Sequence, residues 1–167
     1  MRKSFINILT IVLFSAAGLF AQDFSGVKIC VDPGHGGHSS DDRYIAATGF
    51  WESDGNWGKA NHLKEILESL GDEVILTRNG NNESHDLALS ERAAVANNNN
   101  VDYFQSIHSN GFNGELNYTL ILFRGYDNDP VFDGAKEMGS YLADEIQAAH
   151  RTTAKHNRGD WDFYPWG

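Results

Sequence analysis

Cysteine is nearly missing: Cys30 is the only one in 167 residues. A single thiol cannot build an internal disulfide framework. It falls inside an apolar run, where a buried structural thiol is expected; a nucleophile would sit in a loop near a base. Positive charge is also scarce. Thirteen Lys and Arg face 23 Asp and Glu, a formal charge of −10. Phosphate contacts need Lys and Arg, so the balance argues against nucleic acid as a partner. It argues equally against stable association with anionic membrane surfaces. Internal repeats, heptads and an interdomain linker are lacking. The Gly-rich stretch at 34–37 has neither dinucleotide spacing nor a Walker lysine, and no helix follows it directly.

The one long apolar run is N-terminal. Arg2 and Lys3 precede Phe5–Phe20, and small residues stand near Ala21. This pattern reads as a secretory signal peptide over 1–21, with a cut after Ala21 or after Ala17. The alternative is an uncleaved anchor, for which the run is short against about 20 residues. No cysteine follows closely enough for lipidation. Removing Arg2 and Lys3 with the leader takes the charge from −10 to −12. Localisation is therefore expected to be exported: periplasm, extracellular space or cell envelope. Residues 22–167 are of a size for one domain.

The remaining pattern alternates. Strands are expected at Val27–Asp32, Glu73–Thr77, Val101–Ile107 and Tyr118–Phe123. Helices are expected at Asn56–Leu70, Ser90–Asn97 with Ser90 as N-cap, and Phe132–His150. The long polar stretch from Gly36 to Gly49 reads as a functional loop. This order predicts an α/β fold, a three-layer αβα domain with a largely parallel twisted sheet. The tail from Arg151 to Gly167 is polar, then aromatic, with no final strand or capping helix expected. C-terminal truncation is the reading that follows.

Two strands end in histidine. Val27–Asp32 runs into Pro33-Gly34-His35-Gly36-Gly37, and Val101–Ile107 into His108-Ser109-Asn110. Carboxyl ends of strands are where open α/β sheets bind ligands. The flanking glycines are read as leaving clearance around His35 for water and a bulky substrate. Catalytic zinc takes imidazole and carboxylate ligands, commonly three from the protein. Glu52 is the leading third candidate and Asp54 its local rival; Asp41, Asp42 and His38 are weaker options. Spacing alone leaves two hydrogen-bonded loop histidines as the alternative. Arg78 is read as contacting a substrate carboxylate or pairing with a buried acid such as Asp32. Arg92 is read as tying its helix to the sheet, and Asn110 as orienting the His108 loop. His62, His85, His150 and His156 are expected to be solvated, and Trp51 to pack.

Residues 27–124 resemble the zinc-dependent N-acetylmuramoyl-L-alanine amidases of the Amidase_3 family. The resemblance is carried by Val31-Asp32-Pro33-Gly34-His35-Gly36-Gly37, Glu52, Leu76-Thr77-Arg78, Leu89-Ser90-Glu91-Arg92 with Ala96-Asn97, and Ser106-Ile107-His108-Ser109-Asn110. It implies that His35, Glu52 and His108 bind one zinc ion. It implies hydrolysis of the amide between N-acetylmuramic acid and L-alanine, with peptidoglycan as the partner. It also implies a catalytic glutamate in a later segment, expected beyond Gly167; Glu137 and Glu145 on the third helix are not candidates. An activator protein is left open. The alternative function is a non-catalytic peptidoglycan-binding module that retains the fold.

Overall fold

The computed structural model describes residues 25–39, 43–109 and 117–164. The expected signal peptide, Asp41, Asp42, Asn110 and the last three residues of the aromatic tail lie outside the described residues. Among the described residues, no helix is long and apolar enough to cross a membrane. The chain divides into two compact units, one ending at His108 and one beginning at Ser109.

In the first unit the elements are β1 (Lys28–Pro33), β2 (Tyr44–Ile45), β3 (Phe50–Trp51), α1 (Glu52–Ser69), β4 (Glu73–Leu76), α2 (Leu89–Asn98) and β5 (Tyr103–Ile107). A 3₁₀ turn, Glu83–His85, lies between β4 and α2. The sheet order is β4–β1–β5, and both pairings are parallel. This is the expected α/β arrangement with parallel strands. Helix-length crossovers are what parallel neighbours require, and α1 and α2 supply them. The register sets Pro33 against Ile107, so β1 and β5 end side by side.

The core explains why these residues form these elements. Val31, Ala60 and Val74 are buried, with Ile29, Leu63, Leu67, Leu76 and Ile107 packed on them. On α1 the inward positions are Ser53, Asn56, Ala60, Leu63 and Leu67. Their spacing of three and four residues is one helical face. Ile66 and Leu70 lie off that stripe and are 45% and 40% exposed. Cys30 is buried, as its strand position requires; burial, then the Asp32 charge, pushes its thiol up to about 11. A thiol so shifted stays protonated and inert at neutral pH.

Several boundaries differ from the sequence reading. Helix α1 begins at Glu52, four residues before Asn56. Gly55 and Gly58 weaken the local helix signal, but Glu52 and Asp54 in the first turn suit the positive end of the helix dipole. Helix α2 begins at Leu89, so Ser90 is inside it; the Ala88 N–H donates to Glu91 Oε2 at 2.7 Å instead. The stretch read as one loop from Gly36 to Gly49 contains β2, which pairs antiparallel with β3.

The second unit holds β6 (Tyr118–Phe123), β7 (Gly125–Tyr126), β8 (Asp129–Pro130), α3 (Ala135–His150), β9 (Ala154–Gly159) and α4 (Asp160–Phe163). Strands β6 and β9 pair in parallel across α3. The expectation of no final strand or helix is thus corrected. Lys155, His156, Asn157 and Arg158 lack the apolar alternation of a strand. Their ladder with β6 makes them one, and tertiary pairing outweighs propensity here.

Candidate metal centre

Each proposed donor arrives from a different element. His35 follows the end of β1, Glu52 opens α1, and His108 follows β5. Ligand atoms of all three lie within 4.8 Å of one another. His35 Nε2 stands 3.4 Å from Glu52 Oε2, and His108 Nδ1 stands 3.2 Å from Glu52 Oε1. The two imidazoles meet edge to face, with ring centroids 4.7 Å apart and an interplanar angle of 88°. His35 and Glu52 are half-buried and His108 is exposed.

This donor set fits zinc. Tetrahedral zinc with bonds of about 2.0–2.1 Å places its ligand atoms about 3.3 Å from one another. The two histidines stand near that spacing from different oxygens of the Glu52 carboxylate, His35 Nε2 at 3.4 Å from Oε2 and His108 Nδ1 at 3.2 Å from Oε1. Two imidazoles and one carboxylate are a common catalytic zinc set, leaving a fourth position for water or substrate. The rival Asp54 is occupied elsewhere. It faces His38 Nε2 at 3.1 Å and accepts from Asn81 Nδ2 at 2.6 Å. Asp54 and His38, each about half exposed, form an outer pair, not part of the cluster.

The loop that carries His35 is held by side chains. Gly34 N–H donates to Ile107 O at 2.9 Å, joining the ends of β1 and β5. Asn56 Nδ2 reaches both Gly34 O and Glu52 Oε1, each at 3.2 Å. Ser53 Oγ donates to Gly37 O at 2.5 Å. Ser53 and Asn56 are polar yet buried, and these contacts are why. Sequence reading missed both; the signal was their place on the Ala60–Leu63–Leu67 stripe.

The glycines do not leave open space, which corrects the clearance reading. A Cβ on Gly34 would overlap the His108 imidazole. Gly37, at φ +59°, would meet the backbone at Glu83 and Asn82. The space beside these glycines is therefore filled by the protein itself.

Beneath the site lies one buried carboxylate. Asp32, 3% exposed, accepts from Thr77 Oγ1 at 2.6 Å, Arg92 Nη1 at 2.7 Å and Ser106 Oγ at 2.7 Å. Burial alone would raise its pKa. The bonds from Thr77, Ser106 and Arg92 and the Arg92 charge outweigh burial and hold it below the usual carboxylate range. Arg92 thus ties α2 to the sheet, as expected. Arg78 does not pair with Asp32. It is 3% exposed and donates to Pro33 O at 2.9 Å, Gly80 O at 2.6 Å and Asn81 Oδ1 at 2.9 Å, with Trp57 5.0 Å away. So buried a side chain cannot meet a substrate carboxylate. Burial, then the Arg92 charge, pushes its guanidinium down to about 10.

Trp51 packs, as expected: His38 stacks on it at 4.4 Å and Tyr44 lies 4.7 Å away. His62, His150 and His156 are exposed, as expected. His85 is half-buried instead, held by Asn82 Oδ1 at 2.6 Å and Asn79 Oδ1 at 3.1 Å.

Comparison with known proteins adds relatives to this geometry. Residues 29–164 match the sequence model of the Amidase_3 family, N-acetylmuramoyl-L-alanine amidase. The uncharacterized protein YqiI of Bacillus subtilis (strain 168) is 29% identical over 145 residues, 86% of this chain. The chain spans 65% of that relative's length. Among solved structures, Cwp6 from Clostridium difficile is 30% identical with a TM-score of 0.67. That match covers 81% of this chain and 20% of Cwp6. An N-acetylmuramoyl-L-alanine amidase from Clostridium difficile 630 is 26% identical with a TM-score of 0.63, covering 80% of this chain and 67% of that one.

Proposed function

The chain belongs to the N-acetylmuramoyl-L-alanine amidase family, and from that premise we propose that it hydrolyses the amide between N-acetylmuramic acid and L-alanine in peptidoglycan. His35, Glu52 and His108 hold one zinc ion for this reaction. The observation that carries the reading is the convergence of these donors, from three elements, to within 4.8 Å.

Each residue has a derived role. His35 and His108 offer imidazole nitrogens, and Glu52 offers a carboxylate oxygen. Asn56, bound to Glu52 Oε1 and Gly34 O, keeps the carboxylate aligned with the His35 loop. A bound zinc ion supplies Lewis acidity, which polarises a scissile carbonyl and lowers the pKa of a water towards ~7. Exposure of His108 leaves that side of the cluster open to a polymeric substrate. Export to the cell envelope accompanies this role, supported by Arg2, Lys3 and the apolar run after them.

The test uses the full-length protein, zinc-loaded and zinc-free, on purified peptidoglycan. The expected outcome is about one zinc per chain, release of stem peptides with new L-alanine amino termini, and loss of both in His35→Ala. Unchanged zinc stoichiometry in His35→Ala would contradict the ligand assignment. Zinc and wall binding without peptide release would establish the non-catalytic module instead.

A further inference from the structure

His35 is held in an unusual backbone state. Its φ is +61°, a left-handed conformation uncommon for a residue with a side chain. Such conformations persist where surrounding contacts over-determine them. The contact here is Arg92. Its Nη2 donates to His35 O at 3.1 Å, its Nη1 to Pro33 O at 3.1 Å and to Asp32 Oδ1 at 2.7 Å, and its Nε to Leu87 O at 2.9 Å. One planar fork therefore grips two carbonyls of the His35 loop and the buried acid below it.

Asp32 extends the grip to the other histidine. Its second oxygen accepts from Ser106 Oγ at 2.7 Å, and Ser106 lies on β5, two residues before His108. Its first also accepts from Thr77, just past β4. The carboxylate on β1 thus fastens the ends of all three strands of the sheet, and its guanidinium partner fixes the turn that presents His35.

We propose that Arg92 and Asp32 form a positioning unit that sets the metal affinity of the site, Arg92 by fixing the His35 backbone and Asp32 by coupling it through Ser106 to the strand delivering His108. The inference rests on the zinc reading of that site. Neither residue is one of the three donors. Partners that orient metal ligands commonly change metal affinity about 10- to 100-fold when altered. Lysine cannot replace the fork, because an ammonium is a point donor and does not span two carbonyls and a carboxylate.

The experiment measures zinc affinity by chelator competition, and the urea midpoint of the zinc-free protein, in the full-length chain. Arg92→Lys should bind zinc about 10- to 100-fold more weakly, and Ser106→Ala should bind it more weakly to a smaller degree. Ala60→Gly, a destabilising change in the core face of α1, should leave zinc affinity unchanged; a drop matching that of Arg92→Lys would overturn the proposal by reducing it to general stability. Folded Arg92→Lys with wild-type affinity would overturn it directly. If Arg92→Lys does not fold, Ser106→Ala decides in the same way. A wild type that binds no zinc would instead overturn the zinc reading itself, and the positioning role with it.

Discussion

At Gly34 a side chain is excluded by another residue's ring. The volume a methyl would occupy belongs to the His108 imidazole, so the motif glycine is a packing partner of the second histidine. Gly34→Ala should drive His108 away from Glu52 and weaken zinc binding about 10- to 100-fold, the range for altered ligand support. Chelator competition would measure it; wild-type affinity would contradict the packing role. At this scale the histidines at strand ends were legible, because an apolar run followed by Pro and Gly announces where a side chain emerges. The contest between Glu52 and Asp54 was not. Both stand in the first turn of α1; in the folded chain Glu52 faces His35 and His108, while Asp54 meets His38 and Asn81. Nor could sequence say which arginine meets Asp32. Arg78 is nearer in sequence, but Arg92 makes the bond, because that depends on how α2 lies against β1.

Helix α1 shows how an element carries both fold and site. One stripe runs from Leu67 and Leu63 through Ala60 to Asn56 and Ser53. Its apolar half packs on the sheet, and its polar half binds the His35 loop. The apolar half was legible from Leu63 and Leu67. The polar half was hidden, since buried Ser and Asn look like surface residues until their partners are known. Ser53→Ala leaves Gly37 O without its donor and should lower stability by about 1–3 kcal/mol, the cost of a buried unsatisfied carbonyl. The shift in urea midpoint would check it, and no shift would contradict it. Ala60→Leu overfills a fully buried point of the same face and should cost about 1–3 kcal/mol, read from the same midpoint. Strand β9 shows the opposite limit. Nothing apolar marks Lys155–Arg158, and its pairing with β6 is a property of the folded chain.

At the scale of the whole molecule, the buried Asp32–Arg92 pair is a determinant of behaviour in acid. The Asp32 carboxyl is held below its ordinary value, so its contribution is fully present above about pH 4. It is lost as pH falls through the lower folded-state value, where the protein must protonate it. Removing one partner of a buried ion pair costs about 3–5 kcal/mol. Asp32→Asn should therefore be less stable by an amount of that order at pH 7, and the gap to wild type should narrow below about pH 4. Urea titrations from pH 7 to pH 3 would show this; a gap independent of pH would contradict it. The parallel α/β order of the first unit was legible from alternating strand and helix patterns. Its anchoring was not, because Asp32 gathers Thr77, Arg92 and Ser106 from distant parts of the chain. The proposed chemistry turns on one cluster, His35, Glu52 and His108. Anomalous diffraction at the zinc edge from crystals of the zinc-loaded protein tests it most directly. One peak within bonding distance of His35, Glu52 and His108 is the result expected, and a peak at His38 and Asp54, or none, would contradict it.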